Sequence, residues 1–146
     1  MGNESINTSS VHSSNFNSQT KSKIRVREHA EVFTSVEEIK AMLNLVINET
    51  ERIDSRFLEP ACGDGNFLIE ILSKKLQIVK KKYSKDVSLY SKYSLLAVSS
   101  IYGIEILKDN TVKCRERLFS LWYESYSTAL GCLPTKELVL SIKYVI

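Results

Sequence analysis

The chain predicts an α/β domain with parallel strands, and three observations carry that prediction. A short apolar strand at 56–59 breaks at Pro60, passes through Gly63 and Gly65, and restarts as an apolar helix at Asn66. A second apolar strand, 101–106, follows after two helical stretches, and such a strand–crossover–strand unit implies parallel pairing with a right-handed connection. Both strands read as apolar on both faces, as strands buried in a parallel sheet do.

Residues 1–20 are rich in Ser and Asn and nearly free of large apolar side chains, Phe16 being the main exception. Such a segment buries too little to offset its ordering entropy, so 1–23 is expected to be disordered and order to begin near Ile24, with 24–146 forming one domain portion. Thr34 and Ser35 precede Glu37 and Glu38 in two overlapping capping-box patterns. Beyond them Val36, Ile39, Leu43, Val46 and Ile47 share one helical face, predicting an amphipathic helix over 36–49. The helix from Asn66 to about Lys82 turns Phe67, Leu68, Ile71, Leu72, Leu76 and Val79 inward. After the polar break 83–88, residues 89–99 read as a shorter helix, followed by the second strand. Asp109 or Asn110 can cap a long helix to about Ala129, with Gly131 as its stop and Pro134 just beyond. The tail from Pro134 reads as a further helix, although Val145-Ile146 could open a strand.

With 146 residues, 43% of them hydrophobic, the chain has enough for one modest core. Its net charge of +3 decides nothing about nucleic acid. Basic residues concentrate at Lys21, Lys23, Arg25 and Arg27, and again in six lysines from Lys74 to Lys85. The second group reads best as a solvated helix end whose cations complement the dipole. Cys62, Cys114 and Cys132 are odd in number and contain no Cys-x-x-Cys pair, so neither a disulfide framework nor a zinc site fits. His12 and His29 have no metal-ligand spacing. No apolar run approaches the roughly 18 residues of a membrane span, and no hydrophobic signal core is present. A cytoplasmic protein is the simplest expectation.

The turn is where chemistry is expected. Glycines tolerate positive φ and let a ligand come close to the backbone, and the following helix aims free N–H groups back into the turn. In Gly63-Asp64-Gly65-Asn66-Phe67-Leu68 the third small position of a dinucleotide fingerprint is occupied by Leu68, so that fingerprint is not met. Glu105 stands at the carboxyl end of the second strand, where ligands of open α/β sheets bind and where a carboxylate can accept both ribose hydroxyls of an adenosine. The usual step from glycine turn to acid is about 20 residues. Here it is longer, and the extra helix at 89–99 absorbs the difference. Cys62 has no histidine near it in sequence to act as a base, which argues against a catalytic thiol.

The run Leu58-Glu59-Pro60-Ala61-Cys62-Gly63-Asp64-Gly65-Asn66-Phe67-Leu68 resembles the S-adenosylmethionine-binding motif of DNA adenine methyltransferases from restriction–modification systems. His29-Ala30-Glu31-Val32-Phe33-Thr34-Ser35 is similar to the family's upstream His-Gly-Glu-Val-Phe-Thr-Pro segment, with Ala30 for glycine and Ser35 for proline. Ser99-Ser100-Ile101-Tyr102-Gly103-Ile104-Glu105 and the helix after it are similar to its second motif, so the resemblance extends over roughly 24–146.

It implies a partial Rossmann-like S-adenosylmethionine-dependent methyltransferase fold with crossover helices and an incomplete sheet. It also implies S-adenosyl-L-methionine as cofactor, with Glu59, Ala61, Gly63, Asp64 and Gly65 along its methionine and ribose side. Glu105 would hold the ribose hydroxyls, Ile106 would pack on adenine, and Phe33 and Thr34 would close the methionine end.

The family's Asn-Pro-Pro-Tyr-type tetrapeptide, which holds a flipped adenine, has no counterpart in a chain whose two prolines are Pro60 and Pro134. The expected role is therefore the cofactor-binding portion of a site-specific adenine methyltransferase, inactive alone. It would meet DNA through a complementary chain: the C-terminal methyltransferase half or a restriction subunit. The alternatives are a non-catalytic remnant or binding subunit and, less well supported, a methyltransferase acting on proteins or small molecules.

Overall fold

The structure, a computed structural model, describes residues 34–146. The disordered segment expected over 1–23 and the 29–33 part of the upstream motif, Phe33 included, lie outside the described residues. The first helix, α1 (Val36–Leu45), begins on the capping box foreseen from Ser35 and Glu38. The Ser35 Oγ accepts the Glu38 N–H at 3.3 Å, and the Ser35 N–H donates to Glu38 Oε2 at 3.1 Å. The single helix expected over 36–49 is broken. Val46 leaves helical geometry at φ −119°, ψ 34°, and a short α2 (Ile47–Thr50) follows. Only Ile39 and Leu43 of the predicted face are buried, while Val36, Val46 and Ile47 are exposed, so no packing holds the helix straight through Val46.

Strands β1 (Phe57–Glu59) and β2 (Ile101–Gly103) pair in parallel, with Phe57 opposite Ile101, Leu58 opposite Tyr102 and Glu59 opposite Gly103. The second strand is half the expected length. The Ile104 N–H still bonds to the Glu59 carbonyl, but the chain then turns away because the Glu105 carboxylate takes the Leu107 N–H at 2.7 Å. The expectation of strands buried on both faces also fails: Leu58 is 63% exposed and Tyr102 48%.

Between the strands run α3 (Asn66–Tyr83) and α4 (Val87–Ser99), and after them come α5 (Lys108–Leu130) and α6 (Lys136–Val145). Of the predicted inward face of α3, Leu68, Ile71, Leu72, Leu76 and Val79 are buried, and Phe67 is partly so. Asp86 caps α4 by accepting the Leu89 N–H, and Thr135 caps α6 through Leu138 N–H. Gly131 stops α5 at φ 65°, as foreseen, but neither Asp109 nor Asn110 caps its start, where Leu107 is the cap residue.

The core lies where α3, α4 and α5 meet, and its largest members, Trp122, Tyr90 and Tyr126, are fully enclosed. Each polar tip is satisfied: Trp122 Nε1 donates to Ser94 Oγ, the Tyr90 hydroxyl meets Ser125, and the Tyr126 hydroxyl meets Ser91. A smaller cluster of Ile39, Leu43 and Ile71, with Phe57 and Phe67 against it, fastens α1 to α3 and the sheet. The result is a small α/β domain, two parallel strands flanked by helices, in an open sheet.

Candidate functional site

Parallel pairing puts the turn after β1 and the residues after β2 at one end of the sheet. Three backbone bonds shape the turn: Ile104 N–H to Glu59 O, Cys62 N–H to Ile104 O, and Gly65 N–H to Cys62 O. Gly63 (φ 54°) and Gly65 (φ 93°) both occupy the left-handed region that side chains with a Cβ avoid. Gly65 is the cap residue of α3 and supplies no side-chain oxygen, so the first N–H groups of that helix face the turn without a side-chain cap.

Gly65 serves packing as well as the shape of the turn. A Cβ at Gly65 would stand 2.5 Å from Cys114 Sγ, so this glycine makes room for α5. Gly103 is required in the same way: a Cβ there would stand 2.8 Å from both Cys62 Sγ and Leu68 Cδ1.

Asp64 is drawn inward. Its Oδ2 pairs with Lys113 Nζ at 2.7 Å, and its Oδ1 lies 2.9 Å from Arg117 Nη1. That guanidinium directs its N–H groups at the Asp64 carbonyl (2.7 Å) and at Asn66 Oδ1 (2.8 Å), locking the turn to α5 from two sides. Lys113 and Arg117 were not singled out from sequence. Their signal was an i, i+4 pair of cations flanking Cys114 on a helix otherwise read only for its cap and its stop.

Of the remaining predicted residues, Glu59, Ala61, Glu105 and Ile106 lie at this end of the strand pair. Glu59 is half-buried, and its Oε1 accepts the Ala61 N–H at 3.4 Å, while Ala61 is itself exposed. Glu105 lines a cavity of about 410 Å³ together with Cys62, Gly103, Thr111, Cys114 and Arg115. Ile106 projects from the same end at 91% exposure. Thr34 is exposed, directly ahead of the α1 cap.

Burial raises the Cys62 thiol above its usual range and pushes Cys114 up to about 12. Both are therefore protonated and weakly nucleophilic near neutrality. Among the described residues no group of His, Cys, Asp and Glu could hold a metal ion, and no helix is long and apolar enough to cross a membrane. The arrangement offers a ligand backbone N–H groups, a carboxylate on the adjacent strand end and an uncovered apolar side chain.

No protein-family model and no solved structure matches the chain. A putative type II restriction enzyme and methyltransferase from Methanocaldococcus jannaschii is 32% identical over 76 residues, half of this chain and 6% of that protein. The chain is thereby linked, distantly and in part, to a restriction–modification methyltransferase.

Proposed function

We propose that this chain is the S-adenosylmethionine-binding portion of a site-specific DNA adenine methyltransferase of a restriction–modification system, and that the adenine pocket and the DNA reading lie outside residues 1–146. The observation that carries the reading is the meeting, at the carboxyl end of a parallel strand pair, of a positive-φ glycine turn opening α3 with Glu105 beyond β2. The likeness to the archaeal restriction enzyme and methyltransferase supports the reaction class.

The residues suit the cofactor. One Glu105 oxygen is engaged by Leu107 N–H, and the second can accept a ribose hydroxyl. Ile106 offers apolar area for the adenine ring. Glu59, Ala61 and Gly63 border the turn for the amino-acid end, and Thr34, with Phe33, would close it. Asp64 and Gly65 belong to the same turn and also hold it against α5. When bound, the cofactor supplies an activated methyl group on its sulfonium, and the chain's own residues bind and orient it. With no proline-paired tetrapeptide of its own, the chain presents no platform for a flipped base.

Calorimetry with S-adenosylmethionine tests this directly. Binding is expected in the native chain and lost in Gly63→Val, where a bulky side chain would meet the φ of 54°. Glu105→Ala should weaken binding by roughly 1.5–3 kcal/mol through the lost charge-assisted contacts. A native chain that binds nothing, or a Glu105→Ala variant with unchanged affinity, would remove the assignment. Methyl transfer to adenine by residues 1–146 alone would show that the adenine pocket lies within them.

A further inference from the structure

We propose that Cys62 and Cys114 form a reversible dithiol–disulfide site that clamps the glycine turn to α5. The two residues are remote in sequence, and the fold brings them together on one cavity. The Cys114 sulfur occupies the space beside Gly65, and the Cys62 sulfur the space beside Gly103. The two glycines thus clear the space that the two sulfurs occupy on one cavity, each thiol is close enough to perturb the ionisation of the other, and the Cys62 S–H points to the Gly63 carbonyl at 3.8 Å. Cys62 is half-buried at the cavity wall and is the sulfur an oxidant reaches. Cys114, 5% exposed, lies behind it in the place of a resolving thiol. Neither is in a disulfide.

The reaction requires a peroxide. The Cys62 thiolate attacks one peroxide oxygen and the O–O bond breaks, leaving a sulfenic acid and releasing the other oxygen as water. Cys114 sulfur then attacks Cys62 sulfur, and the S–O bond breaks as hydroxide leaves and takes up the second thiol's proton. Two thiols and one peroxide become one disulfide and two waters. The backbone of Cys62 is bonded on one side to Ile104 and on the other to Gly65, so a bond from its sulfur to α5 acts on the turn itself. Glu105 and Glu59 face Cys62 and disfavour its thiolate. Asp64 disfavours that of Cys114, and Arg117 favours it, so oxidation should be slow near neutrality and accelerate as pH rises.

The test treats the full chain, native and Cys132→Ser, with hydrogen peroxide, blocks remaining thiols under denaturing conditions and maps peptides by mass. The expected product joins the Cys62 and Cys114 peptides within one chain, about 2 Da lighter than the dithiol, and forms faster at pH 9 than at pH 7. Its thermal midpoint should rise by about 5 °C or more and fall back on reduction with dithiothreitol. Cys114→Ser should instead accumulate a trappable Cys62 sulfenic acid. Cys62 and Cys114 both blocked after peroxide treatment, or Cys62 linked only to another copy, would overturn the site. A cross-link that leaves the midpoint unchanged would overturn the clamp.

Discussion

The two ends of the β1–β2 pair contrast sharply. At the amino end the Lys75 ammonium is fully buried, and it donates to the Ile53 and Ser55 carbonyls and to Ser100 Oγ, one acceptor for each of its three protons. Phe57 adds its ring face 5.3 Å away. At the carboxyl end Glu105 keeps a spare oxygen, the first turn of α3 has no side-chain cap and Ile106 has no cover. One end has satisfied its polar groups internally and serves stability; the other leaves acceptors, donors and apolar surface for something else to meet. The same pair of strands therefore separates structure from candidate function by direction alone.

Lys75→Met breaks the closed end and carries the largest expected effect. It removes all three donors while the acceptors stay buried, and should lower stability by roughly 3–5 kcal/mol, read from urea unfolding. A loss under about 1 kcal/mol would mean that water enters and that the closed end is not closed.

A pH series sharpens the same point. Burial lowers the Lys75 pKa from its ordinary 10.5 to about 8, so between those values the unfolded chain binds more protons and stability rises with pH on this account. Cys114 and Tyr90, whose burial raises their pKa values, push the other way as pH climbs, so the comparison is between the native chain and Lys75→Met. The native chain should gain up to about 3 kcal/mol over the variant from pH 8 to pH 10.5 and show a constant difference below pH 8. A difference that stays flat across the upper range would place the ammonium in water.

At the carboxyl end the effects are smaller. Gly65→Ala combines a φ of 93° with a Cβ on Cys114 Sγ and should cost about 2 kcal/mol. Cys114→Ala in the same chain should recover the steric part, and strict additivity in that double-mutant cycle would show that Gly65 and Cys114 do not touch. Glu105→Ala removes the Leu107 N–H acceptor and should cost no more than about 1 kcal/mol of stability while weakening cofactor binding far more. An equal loss in both would make Glu105 a capping residue and nothing else.

Legibility in the sequence follows the same division. The Ser35–Glu38 box, the inward face of α3 and the Gly131 stop were readable because each depends on residues within a few positions of one another. The break at Val46 was hidden because an apolar residue there satisfies the periodic pattern whether or not anything packs on it. Lys75 read as one more solvated lysine, since nothing local distinguishes it from Lys74 or Lys80. Only the arrival of the Ile53, Ser55 and Ser100 acceptors at its ammonium makes its burial tolerable.

Local sequence by itself determined the parallel α/β class, the glycine turn and the placing of an acid after the second strand, because backbone freedom, periodicity and chain order are properties of neighbours. Tertiary structure alone decided that Asp64 is engaged by Lys113 and Arg117 and that Gly65 yields its space to Cys114. Those outcomes depend on which groups meet across 40 or more residues of chain, where packing and charge pairing, not local propensity, set the free energy.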